Sequence, residues 1–223
     1  MPKPTRISKN FYSKEYFTRA ASPGKGKYGK RAFDLNNPFH IKMSAMILDV
    51  LPIKKGDSIL DVGCALGNVV YWLAYDGINA YGIDIAEYAI SHSHIKEKVK
   101  QGDVIDGLPY KKNRFDFIYS RETLEHIDRY YVPGILDEMY RVLKPGGCGL
   151  ISTRNNFADK EVIKQGNPHS ADCSHLCVEP PYWWAIVAER SGFKVDYRRT
   201  LYGMCLPLCE LNTWTMLVIR KPK

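Results

Sequence analysis

The residue types in two short stretches of this 223-residue sequence suit the holding of a small ligand. Ser58-Ile59-Leu60-Asp61-Val62-Gly63-Cys64-Ala65-Leu66-Gly67-Asn68 is an apolar run that breaks into a glycine turn and opens a helix. At the carboxyl end of a parallel strand, such a turn lets backbone approach a ligand closely. Seventeen residues past Gly67, Gly82-Ile83-Asp84 ends the next apolar run in a carboxylate, placed to accept from both hydroxyls of a ribose. The glycines are spaced GxxxG rather than GxGxxG. Asp61, just before the turn, repels a pyrophosphate and favours an ammonium. The pattern therefore fits a ligand with a ribose and an amino acid, and no phosphate, better than a dinucleotide.

These groups need a scaffold, and hydrophobic spacing supplies one. Apolar residues near helical period from Pro38 to Leu51 predict a helix that Pro52 and Lys54-Lys55-Gly56-Asp57 stop. Short apolar runs then predict strands at Ser58–Val62, Ala80–Ile83, Phe115–Tyr119, Gly149–Ser152, Lys194–Tyr197 and Thr213–Ile219. Helices are expected between them at Asn68–Tyr75, Glu87–His94, Val132–Leu143 and Pro181–Ser191. This alternation calls for a mainly parallel sheet covered by helices on both faces. Residues 1–36 differ in composition: Ser22-Pro23-Gly24-Lys25-Gly26-Lys27 reads as a loop, and Phe11-Tyr12 and Tyr16-Phe17 as groups that fold over something. The expected organisation is a basic, aromatic arm or lid over 1–36 and one α/β domain over 37–223.

Composition narrows the class. No apolar run approaches the roughly 18 residues of a membrane span, and the basic N-terminus leads into polar and aromatic residues rather than a secretory h-region. The six cysteines, at 64, 148, 173, 177, 205 and 209, sit in a chain long enough to fold without staples, so reduced thiols and a cytoplasmic setting are expected. Cys173/Cys177 and Cys205/Cys209 are both CxxxC pairs without the usual knuckle glycine, a poor match to a four-thiolate zinc site. Formal net charge is +8, and residues 1–31 account for all of it with nine Lys or Arg against the single acid Glu15. Such an arm either attracts RNA or another anionic partner or is merely a solvated segment.

LDVGCALG, GID, QGDV, FDFIYSRETLEHI and RVLKPGG, in this order and spacing, closely resemble the class I S-adenosylmethionine-dependent methyltransferases over about residues 40–220. The resemblance implies a Rossmann-like class I fold with a seven-stranded sheet and an N-terminal helical cap. It implies S-adenosylmethionine as cofactor and S-adenosylhomocysteine as product. Asp61 would lie near the methionine ammonium, with Gly63, Ala65 and Gly67 beneath the methionine and ribose. Asp84, with Ile85 after it, would take the ribose diol, Asp103 and Val104 would recognise adenine, and Ser120 and Arg121 would lie beside the sulfonium. Ala65 departs from the glycine that many members carry.

The acceptor is less sharply implied. Asp172 to Val178, with Trp183-Trp184 after it, is similar to a subgroup associated with polysaccharide and glycan assembly. A sugar or other small-molecule hydroxyl is then the expected acceptor, methylated on oxygen, with His175, His126 and Asp172 as the candidate catalytic groups and Glu125 and His169 behind them. The ExxEH pattern is also similar to ubiquinone-pathway O-methyltransferases and small-RNA 2'-O-methyltransferases, in which these residues hold a divalent metal. That implies an alternative ligand set of Glu122, Glu125, His126 and His175. Against it, Leu-Glu-His after this strand often only starts or caps a helix, and the metal-free reading is favoured. His175 can equally pin the loop before a helix, and Trp183 and Trp184 can be packing. A non-catalytic partner subunit is disfavoured because Asp61, Asp84 and Asp103 are all intact.

Overall fold

A computed structural model describes residues 3–18, 33–155, 174–198, 201–202 and 214–223. Asp172, His169, Cys173, Cys205 and Cys209 lie outside the described residues. Among the described residues, eight strands form one sheet: β1 Ser58–Val62, β2 Asn79–Asp84, β3 Val99–Gln101, β4 Phe115–Arg121, β5 Leu143–Arg154, β6 Lys194–Val195, β7 Leu201–Tyr202 and β8 Trp214–Arg220. Their order is β3-β2-β1-β4-β5-β8-β6, with the two-residue β7 also paired to β8. The first five are mutually parallel and β8 runs antiparallel to β5. The order reverses between β1 and β4, and in such sheets the crevice outside the carboxyl ends at that point binds the ligand.

Helices cover both faces: α1 Lys14–Thr18, α2 Pro38–Val50, α3 Asn68–Tyr75, α4 Glu87–Ser91, α5 Val132–Val142 and α6 Pro181–Arg190. β1 is buried at every position, as a central parallel strand must be when helices lie above and below it. Ile59 clusters with Ile47 of α2, its C-cap Leu51 and Leu73 of α3, whereas Leu60 and Val62 join Leu136 and Met139 of α5 and Trp184 of α6. Each such side chain taken fully out of water contributes roughly 1.5–3 kcal/mol. α2 is capped by Asn37, whose side chain accepts from the Phe39 amide, with Pro38 in the first turn.

Several expected boundaries move for local reasons. The helix expected over 87–94 ends at Ser91, where the Ser91 hydroxyl donates to Tyr88 O and the Ser93 hydroxyl accepts from the Ile95 amide, competing with the helical ladder. The strand expected from Gly149 begins at Leu143, because Leu143 pairs with Phe115 and Cys148 with Phe117 while residues 144–147 loop out between them. The strand expected to reach Tyr197 stops at Val195. β3 has one buried position in three, too few to leave a pattern. No helix among the described residues is long and apolar enough to cross a membrane.

Candidate functional site

The glycine turn after β1 is built from three unusual backbone positions. Gly63, Ala65 and Gly67 have φ of 84°, 48° and 75°, a region that costs an L-residue roughly 1–2 kcal/mol. The Gly63 and Cys64 amides donate to Ile83 O at 2.8 and 3.1 Å, which fastens the turn to the end of β2. A Cβ on Gly63 would stand 1.9 Å from Thr123 Oγ1. The turn therefore forms a bare backbone cradle directly under the loop that follows β4.

Asp84 ties the two turns together: Oδ2 accepts from the Ala65 amide and Oδ1 from the Ala86 amide, both at 2.8 Å. A carboxylate oxygen has two lone pairs, so each keeps one for a ribose hydroxyl. Asp103 accepts from the Ile105 amide through Oδ1 and from Arg6 Nε through Oδ2, both at 2.9 Å. A cleft of about 420 Å³ opens here, with Ile85, Gly102 and Asp103 on one side and Arg6 and Ser8 on the other. Val104, next in the chain to Asp103, is buried. Ser120 is fully buried and its hydroxyl donates to Val62 O at 2.9 Å, so it holds the ends of β1 and β4 together. The cradle, the lone pairs of Asp84 and the cleft beside Asp103 fit a nucleoside joined to an amino acid.

Asp61 sits 4% exposed at the end of β1. Burial, reinforced by the neighbouring Asp84 and opposed by Arg121, pushes its carboxyl up to about 8. An acid raised on folding stabilises the fold below its unfolded pKa, and that contribution is lost as pH rises through the folded value. Apoprotein stability should therefore fall between about pH 4 and about 8, by up to about 1.4 kcal/mol per pH unit for each proton retained. An ammonium placed beside Asp61 favours its charged form and reverses the shift. S-adenosylhomocysteine should accordingly release a proton from the protein on binding near pH 7, read by calorimetry in buffers of different ionisation enthalpy. Binding without proton release would remove Asp61 from the ammonium site.

The loop after β4 carries the second group. Leu124–His126 is a single 3-10 turn, and the Glu125 carbonyl accepts from the Leu176 and Cys177 amides at 2.7 and 3.0 Å. This docks the segment from residue 174 against the turn. His126 Nδ1 lies 2.8 Å from Ser174 Oγ, and the His126 and His175 ring centroids are 4.8 Å apart. Glu125 is buried beside β5: Oε2 accepts from Thr153 Oγ1 at 3.0 Å, while Oε1 has no hydrogen-bond partner among the described residues. Burial pushes this carboxyl up, against the pull of His126. One ligand atom each from Glu125, His126 and His175 lies within 4.8 Å of the others. Glu122, expected in the same set, is not in that group; its φ is 50° and its carboxylate pairs with Arg121. Cys177, the described member of the cysteine pairs, is packed in the apolar core with its thiol pushed up to about 12 by burial.

Residues 3–18 of the arm contact the domain around this mouth. The Thr5 amide donates to Asp128, Arg6 pairs with both Asp103 and Asp106, and Lys9 lies 3.9 Å from Glu87. Tyr12 presents an edge to His126 at 6.2 Å, and Phe17 stacks on Tyr88 at 5.9 Å. Composition signalled a covering segment, but nothing in the sequence paired Arg6 with Asp103 or Ser174 with His126, 97 and 48 residues apart.

Comparison with known proteins agrees with this geometry. A family model described as a methyltransferase domain matches residues 40–197. The chain is similar to the phosphoethanolamine N-methyltransferase of Triticum aestivum, 34% identical over 120 residues that cover 50% of this chain and 23% of that protein. It thus spans about a quarter of the length of the plant relatives it matches. Among solved structures, the PH0226 protein of Pyrococcus horikoshii superposes with a TM-score of 0.66 at 18% identity, covering 86% of this chain and 95% of that one. A Haemonchus contortus phosphoethanolamine N-methyltransferase, in complex with phosphomonomethylethanolamine and S-adenosylhomocysteine, superposes with a TM-score of 0.60 at 17% identity over 82% of this chain and 53% of its own. These likenesses agree on the Rossmann-like fold, and none of the names they carry mentions glycan assembly.

Proposed function

Since this chain belongs to the class I S-adenosylmethionine-dependent methyltransferase family, we propose that it transfers the cofactor's methyl group to a hydroxyl of a sugar or similar small molecule. The observation that carries this reading is the His126–His175 pair, 4.8 Å between ring centroids, on the loop after β4. The cofactor supplies a methyl group already activated on a sulfonium. The chain's own task is then to hold the acceptor in line with that methyl and to take its proton. With Nδ1 of His126 bonded to Ser174, Nε2 is the nitrogen that receives the hydroxyl proton as the oxygen bonds to the methyl carbon and the carbon–sulfur bond breaks. His175 packs beside that ring and orients the acceptor. Asp172, outside the described residues, keeps its place as a candidate catalytic group.

The arm acts as the lid that excludes water from the transfer. Its contacts with Asp103, Asp106, Glu87 and Asp128 also disfavour an RNA reading, because Arg6 and Lys9 face acids of the domain itself. Incubation with methyl-labelled cofactor and separate pools of sugars and sugar derivatives, phosphoethanolamine, sterols and RNA tests the reading. Label should enter an alkali-stable methyl ether of a small hydroxyl compound; label confined to an amine, to carbon or to RNA would overturn it.

A further inference from the structure

On the α2 face of the sheet, at the carboxyl rim, four side chains stack in series. Phe39 comes from the first turn of α2, Arg121 from the end of β4, Trp214 from the start of β8 and Arg154 from the end of β5. The Arg121 guanidinium carbon lies 4.6 Å from the Phe39 ring centroid and 5.3 Å from that of Trp214, and the Arg154 carbon lies 4.5 Å from Trp214. Register explains the assembly: Arg154 pairs with Trp214, and Arg121 with Ser152 two residues before Arg154, so all lie on one face of the pleat. The charges are unequally compensated. Arg121 pairs with Glu122, whereas no carboxylate among the described residues pairs with Arg154, which is half-buried. Arg121 is also close enough to act on the Asp61 carboxyl, which sets this stack beside the methionine end of the cofactor site.

A guanidinium partly withdrawn from water, held against a buried indole, has its fork pre-oriented and its charge underscreened. The group that best matches that fork is a carboxylate or a phosphate, bound through two parallel hydrogen bonds. The geometry points to an anion subsite at Arg154, with Trp214 as its platform, that holds a phosphate or carboxylate of the methyl acceptor. This rests on the reading that the acceptor enters at the same rim as the histidine pair. It narrows the acceptor to one bearing both a hydroxyl and an anionic group, such as a sugar phosphate or a sugar acid.

Binding to protein saturated with S-adenosylhomocysteine separates this subsite from the chemistry, since no methyl transfer is needed. Calorimetry with glucose 6-phosphate, glucuronate, inorganic phosphate and glucose, on the full chain and on Arg154→Met and Arg154→Lys, reads it directly. At least one anion should bind the full chain and lose about 10- to 100-fold in affinity with Arg154→Met, the range for a charge-assisted hydrogen bond. Arg154→Lys should fall between, because it keeps the charge without the fork, and neutral glucose should show no difference. Whether the phosphate or the carboxylate probe responds identifies the source. Both variants should retain circular dichroism and S-adenosylhomocysteine affinity. No anion distinguishing the full chain from Arg154→Met, or a loss of S-adenosylhomocysteine affinity instead, would overturn the subsite; the latter would assign Arg154 to the cofactor's own carboxylate. Failure of methyl transfer to hydroxyls with the anion effect intact would overturn only the acceptor chemistry.

Discussion

Gly63→Ala should destabilise the protein by about 3–5 kcal/mol and remove measurable cofactor binding, the largest effect expected of any single methyl group in the chain. Two costs combine. At φ 84° an alanine pays the left-handed penalty, roughly 1–2 kcal/mol. Its Cβ would also stand 1.9, 2.5 and 2.7 Å from Oγ1, Cγ2 and Cβ of Thr123. Thr123 cannot simply rotate clear, because its Cβ is itself within the overlap and its hydroxyl lies 3.2 Å from Val62 O and 3.0 Å from Arg121 O. Gly56 provides the control: its φ is 89°, yet an added Cβ meets nothing within 4 Å. Gly56→Ala should show the backbone cost alone. Urea unfolding of the two variants, with S-adenosylhomocysteine calorimetry on any that stay folded, makes the comparison. Equal destabilisation would mean that the close approach of the turn to Thr123 is not what requires glycine at residue 63.

The same turn shows what linear sequence can carry. Its residues are contiguous, so an apolar run and two glycines were enough to foresee the strand and the turn that ends it. The helix expected over Val132–Leu143 likewise forms, over Val132–Val142, with Ile135, Leu136, Met139 and Val142 buried. What the sequence hid is of two kinds. Contacts between distant segments, such as Arg6 with Asp103, His126 with Ser174 and Arg154 with Trp214, leave no spacing to read because the fold alone brings them together. Local backbone reversals also escape a pattern of residue types. Glu122 sits in register with Glu125 and His126 in the ExxEH string, but its positive φ and its ion pair with Arg121 keep it out of the convergent group. The looped-out residues 144–147 look like a helix stop before a strand, whereas pairing with β4 already begins at Leu143.

His126→Ala should lower kcat by about 10²- to 10⁴-fold, the range for loss of a general base, while leaving S-adenosylhomocysteine affinity nearly unchanged because the hydrogen bonds of the cradle, Asp84 and Asp103 do not run through the imidazole. The rival account makes Glu125, His126 and His175 ligands of a divalent ion that lowers the acceptor's pKa. Their ligand atoms are close enough for it, within 4.8 Å, and Glu125 Oε1 lacks a partner among the described residues. Glu125 is 0% exposed, and burial raises its carboxyl in the ion-free protein, so in that account the ion's own charge has to hold it as a carboxylate. Glu125→Gln separates the two, since the amide oxygen can still accept from Thr153 but a weak neutral ligand replaces a charged one. The metal-free account expects Glu125→Gln to retain turnover within about tenfold and exhaustive chelation to change nothing. Full loss on chelation, with recovery by magnesium, manganese or zinc alone and a parallel loss in Glu125→Gln, would convert the histidine pair from a base and its neighbour into a metal site.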